Sequence, residues 1–588
     1  MTDPIAWLEF APDALKRAKE ADCPVVMLLT VPWCSHCKEL LQTTFGDAQI
    51  ATTIRDAFVA VHVDAERRPD VNERYGTGSW PTIAYLTPDG ELITNDSYLL
   101  PAELLQRLQR VRTVWRDQRN ELQKGLQELW SHKNHPQVRS GRLTQQMVDD
   151  VAAAIYEKLD HRYGGWGTGA KFPHAEALDF ALVQWQKRGD ENMREVVTLT
   201  LDRMQDSALH DTVDGGFFRF SKTPDWRSPN FEKLLDVNVR ILRAYLEAYQ
   251  VFGTASYRTT AEGIVRWMLT FLQEPTTKAF HGSQDADADY YNLDAEGRRR
   301  RAPPSVDRTI HCHANAMAVS GLLKASVVLS RPEWCEAALS VLQFLRTELF
   351  DGRDVFHYWD GTYHLPGMLA DQAYLIRAFI DASQLTGDAD LLLPAEAIAE
   401  QVIARQKAPG GGFYDILNDP RQSGSMRRRN RSILENSVMA EALVRLSYLS
   451  RRPEFHAEAI ATLEAFATDY KEYGYYVAGF GRAVDLVFYE PLVLTIVGDR
   501  DSAAAQTLRS TALSRYVPSR MVQMLDPRFD PILIGRSGYK VEDQPVVYVT
   551  LGKSTRQTVR TPGELLQALE QIAWERRGRS QRTRGPNT

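Results

Sequence analysis

Cysteine is scarce in this chain: five residues among 588, an odd number thinly spread, which excludes a framework of structural disulfides. Long hydrophobic runs are missing too. No stretch approaches the ~18 uninterrupted apolar residues of a membrane-spanning helix, and the first residues, MTDPIAWLEF, lack the basic and apolar regions of a secretory signal. Both absences predict a cytoplasmic protein with no membrane partner. Positive charge is not in excess either, since 70 Lys and Arg stand against 76 Asp and Glu, giving a formal net charge of -6. No nucleic-acid partner is expected, because phosphate neutralisation needs a surplus of clustered cations. The local basic clusters at Arg298 to Arg301, Arg427 to Arg431 and Arg576 to Arg584 read as solvated loops and a frayed tail.

What is present describes a globular protein, 44% hydrophobic and 25% charged, and too long for one ordinary core. Pro24-Val-Val-Met-Leu-Leu-Thr-Val31 is short, apolar and β-rich, as a buried central strand would be. It runs through Pro32-Trp33 into Cys34-Ser35-His36-Cys37, and Lys38-Glu-Leu-Leu41 then has helical character. Cys34 is thus expected at a helix N-terminus, where unpaired N–H groups and the helix dipole favour thiolate, the species that attacks a disulfide. Cys37, one turn on, is placed to resolve the mixed disulfide. A zinc half-site or two buried thiols are the competing readings, and the first needs a second ligand pair not evident nearby.

Phe58 to Asp64 and Trp80 to Leu86 read as further strands, with Pro81 where a cis-proline would face the dithiol. Pro88-Asp89-Gly90 signals a turn, and Ala102 to Val111 a helix. Strand, dithiol, helix, strand, proline, strand, hairpin and helix is an order that resembles thioredoxin. Trp33, the dithiol and the later Trp80-Pro81-Thr82 agree with it in order and spacing. Two residues qualify the likeness. Leu28 stands where thioredoxins have a buried acid that assists proton transfer, which argues against a general reductase. His36, directly before Cys37, resembles the oxidant type of dithiol, in which that histidine stabilises the thiolate; such a pair is easily reduced.

From about residue 140 the chain turns to amphipathic helices separated by glycine-aromatic loops: Tyr163-Gly-Gly-Trp-Gly167, Asp214-Gly-Gly-Phe217, Phe280-His-Gly282, Asp360-Gly-Thr-Tyr363, Gly410-Gly-Gly-Phe-Tyr414 and Tyr473-Gly-Tyr-Tyr476. Helix pairs such as Val237 to Phe252 with Thr259 to Gln273, and Asp371 to Thr386 with Leu393 to Gln406, lie between them. Six such hairpins predict an (α/α)6 toroid with the loops crowding one end of a central cavity. From 484 onward, Leu492 to Val497, Met521 to Leu525 and Pro545 to Val549 read as strands, with helices near 501–514 and 562–576. The fold class is therefore multidomain: an α/β thioredoxin-like domain at 1–115, a helical linker at 116–140, an all-α toroid at 141–483, a small α/β appendage at 484–575 and a disordered basic tail at 576–588.

The two halves together resemble the thioredoxin-domain proteins of the spermatogenesis-associated protein 20 type, including YyaL-like members, over nearly the whole chain. The likeness is carried by Val63-Asp-Ala-Glu-Arg-Arg-Pro-Asp-Val71, Tyr163 to Gly167, Lys171-Phe-Pro173, Asp214 to Phe217, Asn230-Phe-Glu-Lys-Leu234, Ser283-Gln-Asp-Ala-Asp287, Gly410 to Tyr414 and Glu435-Asn-Ser437. It implies a six-hairpin glycosidase-like domain behind the thioredoxin-like one. By analogy with sugar epimerases and glycosidases it suggests a carbohydrate or small polar ligand. Candidate acids are Glu232, Asp285, Asp287 and Asp371, and candidate anion or hydroxyl binders are Lys171, Lys233 and Arg219; each has a structural alternative as a cap or ion-pair partner. Asn230 and Val237 replace a histidine and an aspartate of the family pattern, which removes any catalysis resting on that imidazole. His311-Cys312-His313 replaces an apolar helix start. Adjacent residues point different ways on a helix, so a local variation is expected rather than a metal site. Thr550 and Ser554 lie where family members often carry two cysteines.

These readings predict a thiol-disulfide oxidoreductase module whose site is Cys34, Cys37, His36, Trp33 and Pro81, acting on a protein thiol or disulfide and fused to a ligand-binding toroid. No cofactor is expected. The alternatives are a sugar epimerase, isomerase or glycosidase-like enzyme with a structural thioredoxin domain, and a non-catalytic redox-sensing scaffold.

Overall fold

The apolar segment before the dithiol forms a strand buried over its whole length, Val25–Thr30 (β1), following the helix Pro12–Glu20 (α1). The computed structural model describes residues 4–133, 140–489, 491–552 and 554–583. Its contacts divide the chain into two units, Met1–Val138 with Tyr414–Asn430, and Arg139–Phe413 with Arg431–Thr588.

In the first unit β1 leads into Ser35–Gln42 (α2) and Ala48–Ala57 (α3), then Val59–Asp64 (β2), Pro69–Tyr75 (α4), Thr82–Leu86 (β3), Leu92–Asp96 (β4), Pro101–Asp117 (α5) and Arg119–Lys133 (α6). The sheet order is β2-β1-β3-β4, with β1 parallel to β2 and antiparallel to β3. A β-α-β crossover followed by a β-hairpin and a covering helix is the thioredoxin arrangement. Leu28 is fully buried in β1, packed into the cluster that includes Val26, Phe45 and Ile83. The segment Tyr414–Asn430 belongs to this unit although the sequence assigns it to the toroid. Arg74 on α4 pairs with Asp415 at 3.0 Å and donates to the Arg428 carbonyl, and Ser425 N–H donates to Gly90 O. Gly424 makes that last approach feasible: its φ is +56°, and a Cβ there would stand 2.2 Å from the Gly90 backbone.

The second unit holds twelve longer helices before residue 489: Gln146–Glu157 (α7), Ala175–Arg188 (α8), Glu191–Gln205 (α9), Leu235–Phe252 (α10), Ala255–Trp267 (α11), Cys312–Val328 (α12), Pro332–Glu348 (α13), Leu369–Thr386 (α14), Leu392–Gln406 (α15), Ile433–Leu449 (α16), Pro453–Glu464 (α17) and Ala478–Phe488 (α18). Helices α8, α10, α12, α14, α16 and α18 pack each against the next, and α18 returns to α8. That closure makes the inner ring of an (α/α)6 toroid. Each inner helix has an outer partner in α9, α11, α13, α15, α17 or α7.

One device recurs around the ring. Asn238, Asn315 and Asn436 sit near the start of inner helices, and each is fully buried. Each accepts the N–H of an aromatic residue in the preceding loop, Phe217, Phe280 and Phe413, at 2.7 Å, and donates back to the same residue's carbonyl. A buried amide that satisfies both backbone groups of a loop residue fixes that loop to the helix. Gly215 permits the loop's path, with φ at +89° and room for a Cβ only 2.1 Å from the Gly263 carbonyl.

Between α13 and α14 the chain forms an antiparallel hairpin, Phe356–Trp359 (β5) and Tyr363–Pro366 (β6). After α18 come Leu492–Val497 (β7), Ala503–Ser514 (α19), Arg520–Leu525 (β8), Pro531–Arg536 (α20), Val546–Leu551 (β9), Ser554–Val559 (β10) and Pro562–Thr583 (α21). The sheet order is β8-β7-β9-β10, with β7 parallel to β8 and antiparallel to β9. This is the order and sense of the N-terminal sheet, so the appendage is a second β-α-β plus hairpin-helix unit, here without cysteine. Strand β10 (STRQTV) adds to the three strands expected there, and as an edge strand it carries no apolar run to betray it. The expected disordered tail from 576 is corrected in part: α21 is helical to Thr583, and four of its last eight residues are Arg, which propagates helix well. Residues 584–588 lie outside the described residues. No helix among those described is long and apolar enough to cross a membrane.

Candidate functional site

Strand β1 ends in a tight turn that delivers Cys34 to the N-cap of α2. Its Sγ accepts the Cys37 N–H at 3.2 Å and lies 4.0 Å from the Trp80 carbonyl, beside the cis Trp80–Pro81 bond. Neither sulfur is in a disulfide, and both are buried, Cys34 at 8% exposure and Cys37 at 2%. They are unequal. The hydrogen bond to Cys34, and then burial, push the Cys37 thiol far above its ordinary pKa. Trp33 packs edge-on against Trp80 with centroids 5.6 Å apart, and its Nε1–H donates to Glu66 at 2.5 Å. His36 is exposed, with Nδ1 3.5 Å from the Glu39 carboxylate. The five residues named from sequence therefore gather at one end of the sheet, His36 on its outer surface.

The toroid candidates scatter. Lys171 and Lys233 are buried staples at equivalent places in successive loops: Lys171 Nζ meets Asp160 at 2.5 Å and the Gly164 carbonyl at 2.7 Å, and Lys233 Nζ meets Asp211 at 2.5 Å and the Gly215 carbonyl at 2.8 Å. Burial draws Lys233 down to about 8 against the opposite pull of Asp211. Glu232 pairs with Arg219 at 2.6 Å and accepts from the Asn230 amide at 2.9 Å. Asp285 accepts from the Ser305 hydroxyl, and Asp287 caps a helical turn at Tyr290 N–H and faces Arg301. Asp371, fully buried at the start of α14, stands between His357 and His313. Burial raises its pKa, but the two imidazoles outweigh burial and hold it down to about 2.

None of these seven lines the cavity between the inner helices, about 110 Å³ in volume. Its charged walls are Glu176, Asp179, Arg240, Arg243, Arg377, Glu441 and Arg482, one or two from each of five inner helices. Several of the pairs are loose: Arg377 to Glu441 is 3.9 Å, Arg243 to Asp179 and Arg482 to Asp179 are both 3.6 Å. Arg482, 9% exposed, leaves Nε and Nη1 without a hydrogen bond. Donors buried at that spacing are what a polar ligand would satisfy. Sequence carried a faint sign of this wall in charges at helical spacing inside apolar helices: Arg240, Arg243 and Glu247; Arg377 and Asp381; Glu441 and Arg445.

Burial raises the Glu441 pKa, but Arg377 foremost, with Arg482, Arg243 and Arg445, reverses this and holds it at about 2. A folded-state pKa below the unfolded value of 4.5 gives stability that is complete above pH 4.5 and lost as pH falls toward 2. Glu441→Gln is expected to remove about 3 kcal/mol at pH 7 and to flatten the acid limb of the stability profile over that window. Urea unfolding at pH 7, 4 and 2.5 checks it; an unchanged acid limb would contradict the pairing.

A family model described as Thioredox_DsbH, a protein of unknown function (DUF255), matches residues 1–133. Spermatogenesis-associated protein 20 of Homo sapiens is 21% identical over an alignment covering 96% of this chain and 90% of that protein. The likeness to spermatogenesis-associated protein 20 runs over nearly the whole chain. Uncharacterized protein B0495.5 of Caenorhabditis elegans is 28% identical over 49% of this chain and 42% of its own length. Among solved structures, the cellobiose 2-epimerase of Spirochaeta thermophila DSM 6192 aligns with 58% of this chain and 98% of its own at 14% identity, with a TM-score of 0.46. The similarity to spermatogenesis-associated protein 20 covers residues of both units.

Proposed function

We propose that this protein is a cytoplasmic thiol-disulfide oxidoreductase whose dithiol acts on a protein disulfide. The observation that carries the reading is the Cys34 sulfur at the α2 N-cap, where the Cys37 N–H donates to it at 3.2 Å. Negative charge at that position is stabilised by the backbone N–H and the helix dipole. The Cys34 thiolate attacks one sulfur of the substrate disulfide, forming a mixed disulfide and releasing one substrate thiolate. Cys37 gives up its proton and attacks Cys34 Sγ, which forms the Cys34–Cys37 disulfide and releases the second thiolate. Two electrons pass to the substrate, and a small dithiol reductant restores the pair. With Leu28 in β1 there is no carboxylate at that point to take the Cys37 proton, which favours a dedicated substrate over general reduction.

The test is trapping. Cys37→Ser leaves the attacking sulfur without its resolver, so full-length variant mixed with an oxidised protein disulfide should hold a covalent adduct through Cys34. Failure to form any adduct under oxidising conditions would sink the reading.

A second reading, a toroid that binds a carbohydrate or other small polar ligand, is favoured by the unsatisfied Arg482 nitrogens in the charged cavity. Calorimetry against neutral and acidic sugars should find a ligand whose binding is lost in Arg482→Met. A ligand bound equally by both forms would place it elsewhere.

A further inference from the structure

We propose that His313, His357 and Asp371 form a binding site for a divalent transition-metal ion at the edge of the toroid's central cavity. Three separate segments supply the ligands: His313 from the first turn of α12, His357 from strand β5, and Asp371 from the first turn of α14. Asp371 Oδ2 lies 2.8 Å from His357 Nδ1, and Oδ1 lies 3.4 Å from His313 Nδ1. The two imidazoles face each other in parallel planes, 1° apart in orientation with centroids 5.6 Å apart. One ligand atom from each of the three residues falls within 4.8 Å of the others. An ion bound at about 2.0–2.2 Å from nitrogen and oxygen ligands places neighbouring donors roughly 3 to 3.5 Å apart; the Asp371–His313 pair already has that spacing and the Asp371–His357 pair is slightly closer.

The bland account covers only part of this. Asp371 accepts the His313 backbone N–H at 2.9 Å, an ordinary end for a helix, and its hydrogen bond with His357 satisfies the other oxygen. Neither contact explains why a second imidazole is turned onto the same carboxylate with its buried Nδ1 making no hydrogen bond. A cation shared by all three donors does. Two imidazoles and one carboxylate suit zinc, cobalt, nickel or iron(II) rather than magnesium or calcium, which prefer all-oxygen sites. His313 is 26% exposed, so an ion can enter and keep open coordination positions. Met317 and Tyr374, one turn further along the same two helices, line the cavity, so those positions lie where a cavity ligand would reach. The site is independent of the dithiol.

The experiment titrates full-length protein, stripped of metal with a chelator, with Co²⁺ and separately with Zn²⁺. One equivalent of Co²⁺ should develop visible d–d absorption without the near-ultraviolet thiolate band that binding at Cys34 and Cys37 would give. Zn²⁺ affinity should fall roughly a hundred-fold or more in His313→Ala and in His357→Ala. His313→Ala is the decisive variant, because removing the most exposed of the three ligands leaves the buried pair and the fold in place, as circular dichroism would record. Binding unchanged in His313→Ala, a thiolate band, or no binding at one equivalent would each overturn the proposal.

Discussion

Cys34→Ser is expected to abolish disulfide reduction by this protein, a loss of at least about a thousand-fold, since a serine hydroxyl at neutral pH is not a thiolate and cannot form the mixed disulfide. Cys37→Ser should lose turnover to a similar extent but keep the first step, so the two variants separate in a single-turnover assay: one sulfur equivalent released from substrate with Cys37→Ser, none with Cys34→Ser. The asymmetry comes from position. Cys34 caps α2 and receives the Cys37 N–H, whereas Cys37 sits inside the helix at 2% exposure with its thiol pushed up by Cys34 and by burial. An insulin-reduction assay driven by an excess of dithiol, beside the single-turnover measurement, checks both. Equal residual activity in the two variants would show that neither sulfur has a fixed role.

Asp415→Ala is expected to produce the largest loss of stability in the thioredoxin-like unit, about 3–5 kcal/mol, because it strands a charge in the interior. The Arg74 side chain is fully buried, and its Nη2 contacts both Asp415 oxygens, at 3.0 and 3.2 Å. The Asp70 and Arg428 carbonyls that also receive the guanidinium carry no compensating charge. Asp415 in addition accepts the Asn430 N–H at 2.8 Å, closing the segment Tyr414–Asn430 at its base. Denaturant unfolding should show the loss, and limited proteolysis should cut first among Arg421 and Arg427 to Arg431. Asp415→Asn, which keeps hydrogen-bonding capacity, should cost less. A change under 1 kcal/mol for Asp415→Ala would mean that water already reaches Arg74.

How far the sequence could be read depended on whether a feature is contiguous. The dithiol, Trp33 and the strand before them lie in thirteen consecutive residues, 25–37, so their chemistry and placement were legible. The toroid was legible through its loops, because the glycine-aromatic motifs mark every return of the chain, and the ring closure of α18 on α8 follows from that count. Charges on the inner helices were not, since a stripe such as Arg240, Arg243 and Glu247 normally marks a solvent face; only closing the ring turns that face inward. Lys171 and Lys233 stood out as motif residues but are held by Asp160 and Asp211 as loop staples. His313, His357 and Asp371 come from a helix, a hairpin and another helix, so no local spacing could join them. Tyr414–Asn430 reads as a toroid loop because its neighbours in the chain are toroid helices; the Arg74–Asp415 pair that assigns it to the other unit spans residues far apart in sequence.

The central claim is that the two sulfurs are chemically unequal, and alkylation tests it directly. Reduced full-length protein exposed to iodoacetamide at pH 7, quenched over time and mapped by peptide mass, should be modified at Cys34 well before any label appears at Cys37. Labelling of both at one rate, or of Cys37 first, would contradict the assignment of Cys34 as the attacking sulfur.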